Sequence, residues 1–158
     1  YNTLMKTKNI YIFDLDGTVI DSSHRFTGNA EGKLNLEKWI EDSTRENIFK
    51  DSLFPLAQFM KALMKAGKNV WICTARNMND SDFDFLAHHG IKAKTILCRK
   101  NGDHRADAEM KTAKLKSLFN LKQYRNSDKI MFDDNKTIQK EMKKIGIRCL
   151  HQNTLMLK

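Results

Sequence analysis

Five short, predominantly apolar stretches punctuate this chain, at residues 9–13, 69–73, 95–98, 129–132 and 147–150. Their hydrophobic residues follow one another without alternation, as in strands covered on both faces. Helical patterns lie between them. Leu56, Phe59, Met60, Leu63 and Met64 fall on one stripe, with Pro55 at the first turn and Gly67 beyond the last, the punctuation of a helix start and a C-cap. Residues 80–89 open with Asp80, Asp82 and Asp84 and close before Gly90, which suits the helix dipole. Further helices are predicted over 106–119 and 136–145, the second capped by Gly146. Strands alternating with helices predict βα units, a parallel sheet and right-handed crossovers. One irregular stretch, 21–53, is rich in Ser, Gly, Asn and charge, with a short helix predicted over 35–42 from Leu36, Trp39 and Ile40. An insertion after the first strand lies near the carboxyl end of the sheet, where open α/β folds bind ligands. It reads as a small flap over the site, too short for a full cap domain.

Length and composition narrow this picture. A chain of 158 residues fits one domain with one sizeable core, expected over 5–158. Met5 reads as the native start, with residues 1–4 as a cloning remnant. No apolar run is long enough to span a bilayer and no secretory leader is recognisable, which points to the cytoplasm. Cys73, Cys98 and Cys149 are too few and too far apart for a disulfide framework or a zinc knuckle, and read as buried free thiols. The net charge of +9 favours acidic partners such as nucleic acid or phosphorylated ligands. Much of the lysine, however, falls on predicted helix faces, where it would simply be solvated.

The candidate chemistry begins at Asp14-Leu15-Asp16-Gly17-Thr18, directly after the first strand. Carboxylates two residues apart point the same way if strand geometry persists, and Gly17 permits a sharp departure of the backbone. Such a pair can divide labour. Asp14 can attack phosphorus, while Asp16 protonates the leaving oxygen and later takes a proton from water. Two carboxylates facing a phosphate require a cation, and Asp133-Asp134-Asn135 after the fourth strand supplies further oxygen ligands. An all-oxygen set suits Mg²⁺, and no His/Cys cluster argues for zinc. Thr74, after the second strand, can hold a phosphoryl oxygen, and Lys111, in the helix after the third, can neutralise its charge. A hydroxyl, an ammonium and a metal are what phosphoryl transfer requires.

Asp14-x-Asp16-Gly17-Thr18, Thr74, Lys111 and Asp133-Asp134 resemble, in order and spacing, the motifs of the haloacid dehalogenase superfamily. The resemblance spans nearly the whole chain. It implies an α/β, Rossmann-like parallel five-stranded sheet flanked by helices, and a phosphoaspartate enzyme. It also implies Mg²⁺ held by Asp14, the Asp16 carbonyl and either Asp133 or Asp134. A narrower resemblance, carried by residues 98–111 and 130–149, is to the 3′-phosphatases of bacteriophage polynucleotide kinases. By that likeness Arg25, Arg76 and Asp107 are substrate-binding residues, and Asp107 stands one helical turn before Lys111, a spacing that lets the two pair. Thr74-Ala75-Arg76 replaces the Ser-Gly-Arg of that family, and no phosphate-binding G-x-x-x-x-G-K-[ST] loop is present, so a kinase half is excluded.

The expected function is therefore phosphomonoester hydrolysis, with the 3′-phosphate of nucleic acid or nucleotides as first candidate. A small-molecule phosphatase, for nucleoside monophosphates or sugar phosphates, is the alternative. A non-catalytic nucleic-acid-binding module is the third reading, and the complete set of aspartates argues against it. Trp39 could stack on a base or pack within the flap, His24 could touch substrate, and Trp71 belongs to the core.

Overall fold

The computed structural model describes residues 9–26, 28 and 34–151; the expectations about residues 1–4 and a start at Met5 lie outside them. Five parallel strands form the sheet: β1 (Ile10–Phe13), β4 (Asn69–Cys73), β5 (Thr95–Leu97), β6 (Lys129–Phe132) and β7 (Arg148–Leu150). Their order is β5-β4-β1-β6-β7, which puts β1 at the centre. The predicted runs at 9–13, 95–98 and 147–150 each lose one residue at an end.

The apolar runs are explained by the packing. Successive residues of a strand face opposite layers. Phe13, Leu15, Val70, Ile72 and Phe132 join α3 (Leu56–Lys65) and α4 (Asp80–His88) in one core cluster, whereas Ile10, Ile12, Trp71, Cys73 and Met131 join α5 (Asp107–Phe119) and α6 (Lys136–Lys144) in the other. Phe13 stacks on Phe132 with ring centroids 5.1 Å apart, and Trp71, fully buried, stacks on Phe119 at 5.8 Å. Each such burial is worth about 1.5–3 kcal/mol.

Within residues 21–53 the predicted helix is α1 (Leu36–Glu41), and a second short helix, α2 (Arg45–Ile48), follows it. The stretch is bounded by two short strands that the sequence pattern did not reveal. β2 (Ile20–Asp21) and β3 (Ser52–Leu53) pair antiparallel, so the insertion leaves and returns side by side. No helix of the described residues is long and apolar enough to cross a membrane.

Register places the chemistry. Phe13 is level with Ile72 on β4 and Phe132 on β6. The ladder continues one step past the strands, with Asp14 N donating to Phe132 O (2.9 Å), Thr74 N to Leu97 O (2.9 Å) and Asp133 N to Leu150 O (3.0 Å). Asp14, Thr74 and Asp133 therefore emerge together at the carboxyl rim.

Candidate active site

Asp14 is buried and held from two sides. Thr18 Oγ1 donates to its Oδ2 (3.1 Å), and Lys111 Nζ donates to its Oδ1 (2.9 Å). Lys111 enters from α5 and its ammonium also bonds Asp133 Oδ2 (2.7 Å). The Asp133 side chain is fixed in turn by Asn135 N on its Oδ1 (3.0 Å), and its carbonyl accepts from Gln139 Nε2 (2.8 Å). Thr18 Oγ1 accepts from Asp134 N (3.2 Å), tying the loop after β6 to the loop after β1. Oxygen atoms of Asp14, Asp133 and Asp134 lie within 4.8 Å of one another. Gly17 has φ +82°, and a Cβ there would collide with the Asp134 carboxylate. The left-handed φ favours glycine at this turn, and any side chain there would push the Asp134 carboxylate aside.

Two buried acids sharing one ammonium shift the local proton affinities. Burial pushes the Asp14 carboxyl up to about 8, with Lys111 opposing and Asp133 and Asp16 adding to the rise. Burial also disfavours the Lys111 charge, but the carboxylates of Asp14 and Asp133 overcome it and hold the ammonium well above its ordinary range. For Asp16, burial works upward and is outweighed by Arg76, whose charge and hydrogen bonds keep the carboxyl below its usual value.

Asp16 is gripped from its other side. Arg76 Nε donates to Oδ2 (3.1 Å), Arg76 Nη2 to Oδ1 (2.5 Å) and Ser22 Oγ to Oδ1 (2.6 Å). Thr74 is buried, and its Oγ1 accepts from Arg76 N (3.0 Å), leaving the hydroxyl proton to donate. Arg25 is buried too, with Nε and Nη2 on Asp51 (3.0 and 2.8 Å) and its guanidinium 4.2 Å from the centre of the Trp39 ring. Trp39 thus packs inside the flap. His24 Nε2 lies 2.7 Å from Asp51 Oδ1.

Asp107 corrects an expectation. It pairs with Arg99 Nη2 (2.6 Å) and not with Lys111, because Lys111 is drawn inward to the two buried acids while Asp107, at the first turn of α5, faces outward. Arg99 also bonds the carbonyls of Ala75, Asp103 and Arg105 (3.0, 2.9 and 2.7 Å), so this pair anchors the start of the helix that delivers Lys111. Asp51 and Asp82 were missed in the sequence. The first sits in a polar loop and the second reads as an ordinary first-turn acid, and neither carries a local signal of burial.

All three cysteines are free, but only Cys73 is fully buried; Cys98 and Cys149 are half-buried. Burial pushes the thiols of Cys73 and Cys149 up to about 12. The thiolate is the reactive form. Alkylation of these two in the native protein at pH 8 is accordingly expected to run more than about a hundredfold slower than in the urea-unfolded chain, as read by mass spectrometry of iodoacetamide adducts.

A parallel sheet in this order, with aspartates from β1 and β6 and a lysine from α5 gathered at its carboxyl rim, defines the haloacid dehalogenase fold. Solved structures agree. A haloacid dehalogenase-like hydrolase from Streptococcus pneumoniae superposes with a TM-score of 0.63 at 16% identity, covering 91% of this chain and 84% of that one. A chain of the Pnkp1/Rnl/Hen1 RNA repair complex superposes with a TM-score of 0.64 at 22% identity, covering 92% and 42%. Within this class, residues 3–156 match the model of the family described as bacteriophage T5 5′-deoxynucleotidase, and the chain belongs to that family. It is similar to the 5′-deoxynucleotidase of Escherichia phage T5, 31% identical over 160 aligned residues, and it spans 66% of that protein's length.

Proposed function

We propose that this protein is a Mg²⁺-dependent phosphomonoesterase that removes the 5′-phosphate of deoxynucleoside monophosphates through an aspartyl-phosphate on Asp14. The observation that carries the reading is the buried Asp14 carboxylate at the sheet rim, bonded to Lys111 and grouped with Asp133 and Asp134. Three convergent carboxylates form the hard, all-oxygen donor set that fits Mg²⁺. Asp14, Asp133 and Asp134 would hold the ion, and when bound it supplies positive charge that lets an anionic phosphate approach an anionic nucleophile.

The chain's own residues do the rest. Asp14 attacks phosphorus and the P–O ester bond breaks as Asp16, having taken up a proton from solvent against the hold of Arg76, gives that proton to the departing sugar oxygen. Water then attacks the aspartyl-phosphate and Asp16 takes its proton. The P–O bond to Asp14 breaks, releasing inorganic phosphate and restoring the carboxylate. Thr74 and Lys111 donate to the phosphoryl oxygens, where charge is greatest in the transition state.

Two points favour the 5′-mononucleotide over the 3′-phosphorylated nucleic acid ranked first from sequence. The family is described by a 5′-deoxynucleotidase, and Arg25 and Arg76, on which the 3′ reading leaned, are turned onto carboxylates. The test is a phosphate-release panel with Mg²⁺ across 5′- and 3′-deoxynucleotides, 3′-phosphorylated oligonucleotides and sugar phosphates. 5′-Deoxynucleotides are expected to lead in kcat/KM by about tenfold or more. Faster release from the oligonucleotide, together with a steep loss of binding in salt, would restore the 3′ reading, and no turnover of any ester would leave only a binding role.

A further inference from the structure

Among the described residues a second polar network, outside the cluster of Asp14, Lys111 and Asp133, centres on Asp51, which stands immediately before β3 and whose side chain is fully buried. Its Oδ1 accepts from Arg25 Nε at 3.0 Å and meets His24 Nε2 at 2.7 Å. Its Oδ2 accepts from Arg25 Nη2 at 2.8 Å and from Arg76 Nη2 at 3.4 Å. Arg25 is further braced by Ser43 Oγ (3.1 Å). Arg76 spends its remaining donors on Asp16 and on Asp82 of α4, the latter at 2.6 Å. Asp82 is itself fixed by a reciprocal capping pair with Asn79. The guanidinium of Arg76 thus spans three acids from three separate segments, in a plane that its rigid fork dictates.

From this geometry we infer that Asp51 is a positioning residue: it fixes Arg76, and through Arg76 it aims the Asp16 carboxyl at the leaving oxygen. Arg25 and Arg76 are struts of this arrangement. The insertion between β2 and β3 is then part of the proton-transfer apparatus and not only a cover. The inference rests on the role of Asp16 proposed above.

Leaving-group dependence tests it. A deoxynucleotide releases a poor, alkoxide leaving group that needs a proton, whereas 2,4-dinitrophenyl phosphate releases a stable phenolate that does not. Because kcat/KM reports steps up to departure of that group, a residue that aims the acid affects only the first ester. In the Mg²⁺-loaded enzyme, Asp51→Asn replaces an accepting oxygen facing the arginines with an NH₂ group. It is expected to lower kcat/KM for a 5′-deoxynucleotide about a hundredfold and for the dinitrophenyl ester less than about threefold. Equal losses on both esters, as expected of general damage or of a phosphate ligand, would overturn the inference, as would no loss on either.

Asp16→Asn is measured alongside. If it shows the leaving-group split and Asp51→Asn does not, the positioning role fails and the acid stands. If Asp16→Asn itself affects both esters equally, the proposed acid is wrong and the inference falls with it. Should circular dichroism find Asp51→Asn unfolded, Arg76→Lys, which keeps the charge and loses the fork, carries the same two outcomes.

Discussion

Asp14→Asn is expected to lower phosphate release by at least about 10⁴-fold while leaving the protein folded. An amide cannot attack phosphorus, and no other described residue stands at the same point of the rim between Lys111 and Thr18. The fold should survive because two buried acids share one buried ammonium at this spot. Neutralising Asp14 leaves Lys111 and Asp133 as a balanced pair, and the amide keeps an oxygen for the Thr18 hydroxyl. Phosphate release and far-UV circular dichroism on the same preparation read both halves. Activity retained in the folded variant would remove Asp14 as nucleophile.

The second large effect is at Lys111, and it has the opposite structural consequence. Lys111→Met keeps the length of the side chain but leaves the buried carboxylates of Asp14 and Asp133 facing each other with no ammonium between them. Removing one partner of a buried ion pair costs about 3–5 kcal/mol. Losing a donor to the transferring phosphoryl group costs about 10²–10³ in rate. Urea unfolding without added metal should show the stability loss, and kcat/KM the catalytic one. A variant as stable as the parent would mean that the ammonium does not carry the charge balance of the site.

How much of this could be read from the sequence depended on how local the cause was. The strands were legible because burial, nearly complete in β1 and β4 and partial in the edge strands β5 and β7, writes itself as an apolar run, and the sheet order then put Asp14, Thr74 and Asp133 on one rim. β2 and β3 were not legible, because two-residue strands have no period to detect. Arg76 was recognisable as important, but its partner Asp16 lies 60 positions away and its contact with Asp51 closes only once the insertion folds back. The Asp107 expectation failed for a related reason. Helical spacing says which side chains can meet, whereas the buried acids after β1 and β6 decided where Lys111 turned.

The side-by-side exit and return of the chain at β2 and β3 makes that ribbon a neck. Whatever polypeptide hangs from it can be exchanged for another of different length without moving the backbone that carries the nucleophile, provided that Ser22, Arg25 and Asp51 are kept at its base. Relatives that differ between β2 and β3 could in this way have diverged in the esters they admit while inheriting one unaltered means of cleaving them, and a graft taken from one onto another would be expected to transfer selectivity alone.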